Sequence, residues 1–458
     1  NKYIGEWASK ILGYDEGQEK VYIQSVIKAD FAEAGDEDVF RKIREDLMLL
    51  EKKLEKRGGD FSYQLNSIVE LDRKRRKIQV HLDTLRANVN KISQEMSQLF
   101  KTGQKDEADK YREKSINIKN QIKSLEEDIK SIDKELQLAL FSVPNTPHET
   151  VPSGRSSEQN QIILEHSSKP TFSFKILPHW ELAEKYKLIN FELGVKITGA
   201  GFPVYMGKGA QLQRALINFF LDEAKNIGYQ EVQPPILINQ NSGYGTGQLP
   251  DKDGQMYYVQ EDDLFLIPTA EVPITNLYRG SIVEKEHLPI KHVGYTPCFR
   301  REAGSYGKDV RGLNRLHQFD KVEIVQITDP KSSYKTLEEM SSYVQNLLQK
   351  LELPYRVLNL CGGDLGFTSS KTYDMEVWSA AQERWLEVSS VSNFETFQSN
   401  RLKLRINELG DKSLAHTLNG SALALPRIVA AILENNQTQT SIQLPKVLHS
   451  YLNFTEIT

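Results

Sequence analysis

Between residues 60 and 141 the apolar positions of the chain fall into a three-four alternation. Ile68, Leu71, Ile78, Leu82, Leu85, Val89, Ile92, Met96 and Leu99 share one stripe, broken only where Arg75 takes an apolar slot. Such spacing keeps one face of a helix apolar and predicts a coiled-coil seam. The polar string Lys101-Thr102-Gly103-Gln104-Lys105 interrupts it, and a second stripe follows at Tyr111, Ile118, Ile122, Leu125, Ile129, Ile132 and Leu136. Two stripes of similar length around one glycine-bearing turn predict an antiparallel helical hairpin. At ~1.5 Å of rise per residue the hairpin projects by tens of ångströms.

The pattern stops at Val143-Pro144-Asn145-Thr146-Pro147, and a stretch rich in Ser, Gly and Pro follows. From residue 178 onward glycines, aromatics and short β-branched runs alternate with helical patterns. Lys321-Val322-Glu323-Ile324-Val325-Gln326-Ile327 is the clearest strand. The expected organisation is a helical extension over 1–42, an arm domain over 43–150, a linker over 151–170 and an α+β domain over 171–458, built on an antiparallel sheet with flanking helices. No internal repeat of solenoid period occurs.

Composition narrows the class. The chain has 458 residues, 39% hydrophobic and 26% charged, which excludes a disordered chain, and no apolar run approaches the ~20 residues of a membrane span. Net charge is −4, so a nucleic-acid partner must be held by a local basic surface. Two cysteines, Cys298 and Cys361, are too few for a disulfide scaffold or a Cys-rich zinc site, and a reducing cytoplasm is the simplest compartment. Both are expected to be buried and inert.

The chemistry concentrates in two segments. One holds Phe299-Arg300-Arg301-Glu302, a loop Ala303-Gly304-Ser305-Tyr306-Gly307, then Arg315, Phe319 and Glu323. The other holds Leu418-Asn419-Gly420-Ser421-Ala422-Leu423-Ala424-Leu425-Pro426-Arg427 and a helix-like apolar run. A nucleoside triphosphate needs planar, permanently charged forks for its phosphates, an aromatic face for its base and carboxylates for a metal or an ammonium group. Each residue alone reads as an ion pair or a core side chain; together they point to one site.

These segments resemble motifs 2 and 3 of class II aminoacyl-tRNA synthetases. Thr269-Ala270-Glu271, residues 300–319 and residues 416–434 resemble the bacterial seryl-tRNA synthetase family in particular, hairpin included. The resemblance implies serine-tRNA ligation in a homodimer whose interface lies around Gly228-Tyr229-Gln230-Glu231-Val232-Gln233-Pro234-Pro235, with the hairpin gripping the variable arm of serine tRNA. It implies that Arg300 holds the α-phosphate of ATP and that Arg315 and Arg427 clamp the outer phosphates. By the same resemblance, Arg300 and Arg427 would be the catalytic pair. Glu302 and Arg301 would flank the nucleotide, with Phe319 and Leu316 at the base. Glu387 and Ser390, within Glu387-Val388-Ser389-Ser390, would bind Mg²⁺. Thr269, Ala270, Glu271, Glu323 and Ser421 would line the serine pocket, with Glu323 pairing with the ammonium group.

The run Arg73-Lys74-Arg75-Arg76-Lys77 has two readings, a solvated helix face or, through Arg73, Lys74, Arg76 and Lys77, phosphate contacts with tRNA. Residues 29–44, and more loosely 1–47, resemble the ATPase-inhibitor zeta subunit family but lack that family's inhibitory N-terminal stretch, so inhibition is not carried over. The alternative function is a catalytically silent synthetase paralogue that binds RNA or a protein partner; it predicts loss of the phosphate-clamping arginines, and Arg300, Glu302 and Arg427 are intact.

Overall fold

A computed structural model describes residues 47–251, 253–302 and 311–458. The helical extension expected over 1–42 and the loop Ala303 to Gly307 lie outside the described residues. The chain divides into two compact units, one containing Asp60–Pro144, the other Lys52–Gly59 and Asn145–Thr458.

The first unit is the helical hairpin. Helix α1 (Ser62–Lys101) and helix α2 (Lys105–Phe141) are joined by a turn in which Gly103 takes a φ of 75°. A left-handed residue reverses the chain at little steric cost when it is glycine. Every predicted stripe position is buried or half-buried, from Ile68 to Leu99 on α1 and from Tyr111 to Leu136 on α2. The seam holds by apolar burial, with Leu82 and Leu85 among its most buried residues. Arg75, the break in the stripe, reaches Asp133 on α2 at 2.5 Å. Its charge is therefore matched across the seam.

The second unit is built on an eight-stranded sheet. Its strands in chain order are β1 (Gln161–His166), β2 (Gln230–Glu231), β3 (Ile290–Phe299), β4 (Gln318–Thr328), β5 (Tyr355–Asn359), β6 (Lys371–Ser379), β7 (Arg384–Asn393) and β8 (His416–Ala424). They lie in the order β1-β5-β6-β7-β8-β4-β3-β2, antiparallel throughout except for the parallel β2–β3 pair. Residues 151–170, expected as a linker, thus supply an edge strand. Its apolar Ile162, Ile163 and Leu164 pattern is short and sits among Ser and Gly, which masked the strand signal.

Alternation along β4 explains how one strand serves both core and site. Val322 and Ile324 are fully buried in the main core, while Phe319, Lys321 and Glu323 turn to the opposite face. Helix α3 (Gly207–Asn226) contributes Leu212, Leu216, Phe219 and Phe220 at helical spacing, and helix α4 (Ser333–Lys350) contributes Leu337, Met340, Val344 and Leu347. Helix α5 (Leu425–Asn435) is buried almost all round, as its apolar sequence requires.

Lys56 and Arg57 tie a short 3-10 turn to this unit. Lys56 donates to the carbonyls of His148, Glu149 and Val151, and Arg57 to those of Asn145, Leu365, Gly366 and Ser369 at 2.7–3.2 Å. Burial pulls the Arg57 guanidinium down to about 10, and it keeps its charge at neutral pH. Arg57→Met should leave several buried carbonyls without donors and lower the unfolding midpoint of this unit by about 5 °C or more. Calorimetry of the variant checks this; an unchanged midpoint contradicts the anchoring role.

Candidate active site

The polar face of the sheet opens into a cleft of about 630 Å³. Arg300 stands just past the end of β3, with its backbone N–H bonded to the His317 carbonyl and its Nε 3.3 Å from the Pro268 carbonyl. Its guanidinium lies 5.3 Å from the Phe319 ring centre, close enough for a cation–π contact. From the far end of the chain, Arg427 enters the same cleft on the first turn of α5. Its Nε donates to the Asn314 carbonyl at 3.1 Å and its Nη1 to the Glu387 carbonyl at 2.6 Å. Glu302 and Arg315 also line the cleft and pair at 2.8 Å.

At the floor lies a buried charge cluster. Lys321 and Glu323, two apart on β4, pair at 2.7 Å with almost no exposure. Register places Glu323 opposite Ser421 on β8, whose hydroxyl is 3.4 Å from the carboxylate. Asn419 donates to Glu323 at 2.9 Å and to Glu271 at 2.7 Å, and Gln398 donates to the other Glu271 oxygen at 2.6 Å. Thr269 accepts from the Glu271 N–H at the start of the short helix Glu271–Asn276. Burial first, and the neighbouring Glu323 charge second, push the Glu271 carboxyl up to about 7.

A second acidic group lines the β6–β7 side. Ser390 donates to Glu387 at 3.3 Å, and Asp374 sits opposite Ser390 in register. Burial and the Glu387 charge hold the Asp374 carboxyl well above the usual range, and its Oδ1 is buried with no hydrogen-bond partner. Val388 and Ser389 complete this wall, the Ser389 hydroxyl bonding to the Ser421 carbonyl at 2.6 Å.

The cleft therefore gathers Arg300, Glu302, Arg315, Leu316, Phe319, Glu387, Val388, Ser389, Ser390, Arg427, Thr269, Glu271, Glu323 and Ser421. Two expected residues stand apart from it. Arg301 points elsewhere, its guanidinium 5.6 Å from the Tyr257 ring, because successive residues of an extended segment face opposite ways. Ala270 is packed against Ile274 and Val325 and presents nothing to the cleft. Lys321, Asn419, Gln398 and Asp374 were missed as site residues. Lys321 had a signal in its two-residue spacing from Phe319 and Glu323, and Asn419 lay inside a quoted motif. Gln398 and Asp374 had none.

An antiparallel sheet whose polar face opens into a cleft lined by arginines and buried carboxylates fits the core of a class II aminoacyl-tRNA synthetase. The family model "tRNA synthetase class II core domain (G, H, P, S and T)" matches residues 257–436, "Seryl-tRNA synthetase N-terminal domain" matches 40–147 and "ATPase inhibitor subunit zeta" matches 1–70. The serine–tRNA ligase of Salinibacter ruber is 47% identical over 91% of this chain and 98% of its own length, and that of Geobacter sulfurreducens 45% identical over 90% and 97%. The seryl-tRNA synthetase of Pyrococcus horikoshii, solved with ATP, superposes with a TM-score of 0.84 at 33% identity, covering 92% of this chain and 99% of its own. The chain belongs to the seryl-tRNA synthetase family and is an aminoacyl-tRNA ligase for serine.

The raised Glu271 carboxyl has a consequence for stability. Its folded value lies above its unfolded one, so between about pH 4.5 and 7 the native state keeps a proton that the unfolded chain releases. Stability from this group is present below that window and is lost as pH rises through it. Glu271→Gln removes this ionisation, so its unfolding midpoint relative to wild type should rise from about pH 5 to about pH 8. Thermal melts at both pH values decide; a constant difference contradicts the assignment.

Proposed function

We propose that the cleft activates serine and that the hairpin delivers the tRNA. In the first half-reaction a serine carboxylate oxygen attacks the α-phosphorus of ATP, the bond to the bridging oxygen of pyrophosphate breaks, and seryl-adenylate remains. The carboxylate is already ionised at neutral pH, so the chain needs no general base there and acts by positioning and charge stabilisation. Arg300 meets the charge that builds on the α-phosphoryl group, and Arg315 and Arg427 hold the outer phosphates. Phe319 and Leu316 take the base and Glu302 its edge. In the second half-reaction the terminal ribose 3′ hydroxyl of serine tRNA attacks the adenylate carbonyl and AMP leaves.

The convergence of Arg300 and Arg427 from distant segments on one cleft carries this reading. At the other end, Glu323 pairs with the serine ammonium group while Thr269, Glu271 and Ser421 surround the side chain. A pocket that hydrogen-bonds the hydroxyl penalises alanine, which leaves polar groups unpaired, and threonine is excluded by its extra methyl.

Glu387 and Ser390 would hold Mg²⁺. Among the described residues no three of His, Cys, Asp or Glu form a metal cage. Mg²⁺ carried on a triphosphate needs only one or two protein carboxylates, and the unpartnered Asp374 oxygen beside Glu387 fits a cation there. When bound, the ion neutralises phosphate charge and orients the outer phosphates.

The tRNA-binding surface of the hairpin is Arg73, Lys74 and Lys77, which are exposed, with Arg76 half-buried against Asp72 at 2.7 Å. The chain pairs with a second copy around residues 228–235. The exposed apolar side chains of Ile227, Ile236 and Leu237, which flank this stretch, support an interface here. No described helix is long and apolar enough to cross a membrane. A cytoplasmic setting suits two free, buried thiols.

Serine-dependent exchange of labelled pyrophosphate into ATP without tRNA, followed by charging of serine tRNA, tests the division of labour. Deleting the hairpin should spare exchange and abolish charging; equal loss of both contradicts it. Arg300→Ala should slow exchange by ~10²-fold or more while leaving tRNA affinity nearly unchanged. A drop in thermal stability with normal exchange assigns Arg300 a structural role instead.

A further inference from the structure

Glu434 is a fully buried carboxylate that does not line the cleft. Its Oε1 accepts from the His179 backbone N–H at 3.0 Å, from His179 Nδ1 at 2.7 Å and from Gln382 Nε2 at 3.2 Å. Its Oε2 accepts from the Ser379 hydroxyl and from the Ala381 N–H at 3.2 Å. Against the opposing effect of burial, the contacts from His179 and Ser379 hold the carboxyl below its usual range. A carboxylate so surrounded is a rigid joint between α5, the β6–β7 turn and residue 179.

The other side of the His179 ring faces the cleft wall. The Leu313 N–H lies 2.8 Å from His179 Nε2. A backbone N–H can only donate, so Nε2 carries the lone pair and Nδ1 the proton that goes to Glu434. The carboxylate thus fixes the tautomer that receives Leu313. Three further contacts bind the same segments. Gln382 Oε1 accepts from Asn314 Nδ2 at 2.9 Å, the Arg311 guanidinium lies 4.7 Å from the Trp180 ring centre, and Gly312 packs so closely that a Cβ there would sit 2.3 Å from His179 Nε2.

Leu313, Asn314, Arg315 and Leu316 all line the cleft, and the Asn314 carbonyl also receives Arg427 Nε. Residues proposed for the base and for two of the phosphate contacts therefore hang on one backbone segment, and that segment hangs on His179. We propose that His179 and Glu434 are positioning residues for ATP, setting the Leu313–Leu316 segment and through it Arg315, Leu316 and Arg427. This rests on the assignment of the cleft to ATP. Neither residue touches the nucleotide, and the serine pocket on β4 and β8 is held by other contacts.

The test is the KM of ATP and of serine in pyrophosphate exchange, with Arg315→Ala as a control for the cleft. His179→Phe keeps ring volume and deletes both polar contacts; it should raise the KM of ATP about tenfold or more and leave that of serine within about twofold. Gly312→Ala crowds the same contact from the other side and also strains a backbone φ of 68°; both displace the same segment, so it should give the same split. His179→Gln, whose amide offers one acceptor and one donor, should recover part of the affinity. The inference is overturned if folded His179→Phe and Gly312→Ala keep the KM of ATP within about twofold of wild type, or if both KM values rise together. Should His179→Phe and Gly312→Ala not fold, His179→Gln decides by the same criterion, an ATP-selective rise supporting the proposal and its absence overturning it. If Arg315→Ala also leaves the KM of ATP unchanged, the ATP assignment of the cleft has failed; if it raises that KM and the His179 variants do not, only the positioning role has.

Discussion

Glu271 and Glu323 are both within hydrogen-bond reach of the same Asn419 amide, out of water, and Lys321 pairs with only one of them. Two like charges so placed repel strongly, because little solvent lies between them to screen the field. Burial first, and the neighbouring Glu323 charge second, raise the Glu271 carboxyl to about 7, although the Gln398 amide and the Lys321 and Arg300 charges act in the opposite direction. The cluster is short of positive charge or must hold a proton. Under the function proposed for the cleft, an amino acid's ammonium group meets that shortage. The unbalanced buried charge is the constraint that the rest of the catalytic unit is arranged around.

The sheet makes the demand compatible with a stable core. Glu323 and Ser421 face one another because β4 and β8 are antiparallel partners in that register, and a slip of one residue would send Val322 and Ile324 into the cleft and both charges into the apolar layer. The register is thus held by core packing on one face and read out as a polar pocket on the other. Apart from Lys321 on β4, the cationic groups enter from outside this strand pair, Arg300 from the end of β3 and Arg427 from α5. Carboxylates and guanidiniums are interleaved along the cleft, Glu302 beside Arg315 and Glu387 near Arg427, while Glu271 and Glu323 are held chiefly by neutral amides and Lys321.

Legibility in the sequence followed the range of the interaction. The hairpin seam was readable from Ile68 to Leu136 because an amphipathic helix writes its partner face into local periodicity, and even Arg75 announced itself as an exception. The strand through Val322 and Ile324 was readable for the same reason, and family motifs supplied most of the cleft. What escaped depends on contacts between segments far apart. Asp374, Gln398, His179 and Glu434 are ordinary residues in their local context, and Arg57 gives no hint of the four carbonyls it serves. Arg301 and Ala270 were drawn in by neighbours in a motif, whereas adjacent side chains point opposite ways in an extended segment and about 100° apart at a helix start.

Arg427, proposed to hold phosphates, shows why backbone contacts matter to such a charge. A guanidinium has five N–H donors, and here the Glu387 and Asn314 carbonyls take two of its nitrogens, fixing the plane of the group. A neutral carbonyl orients the fork without cancelling its charge, whereas a tight carboxylate pair would do both; the Glu387 carboxylate stands off at 3.9 Å. A charge whose direction is set by backbone carbonyls needs no reorganisation when a phosphate arrives, and that saving is the source of electrostatic catalysis. It also means that the accuracy of the charge is only as good as the placement of the carbonyls. Catalytic competence is therefore a property of how loops and helix termini are tied to the sheet, and not only of which charged side chains line the cleft.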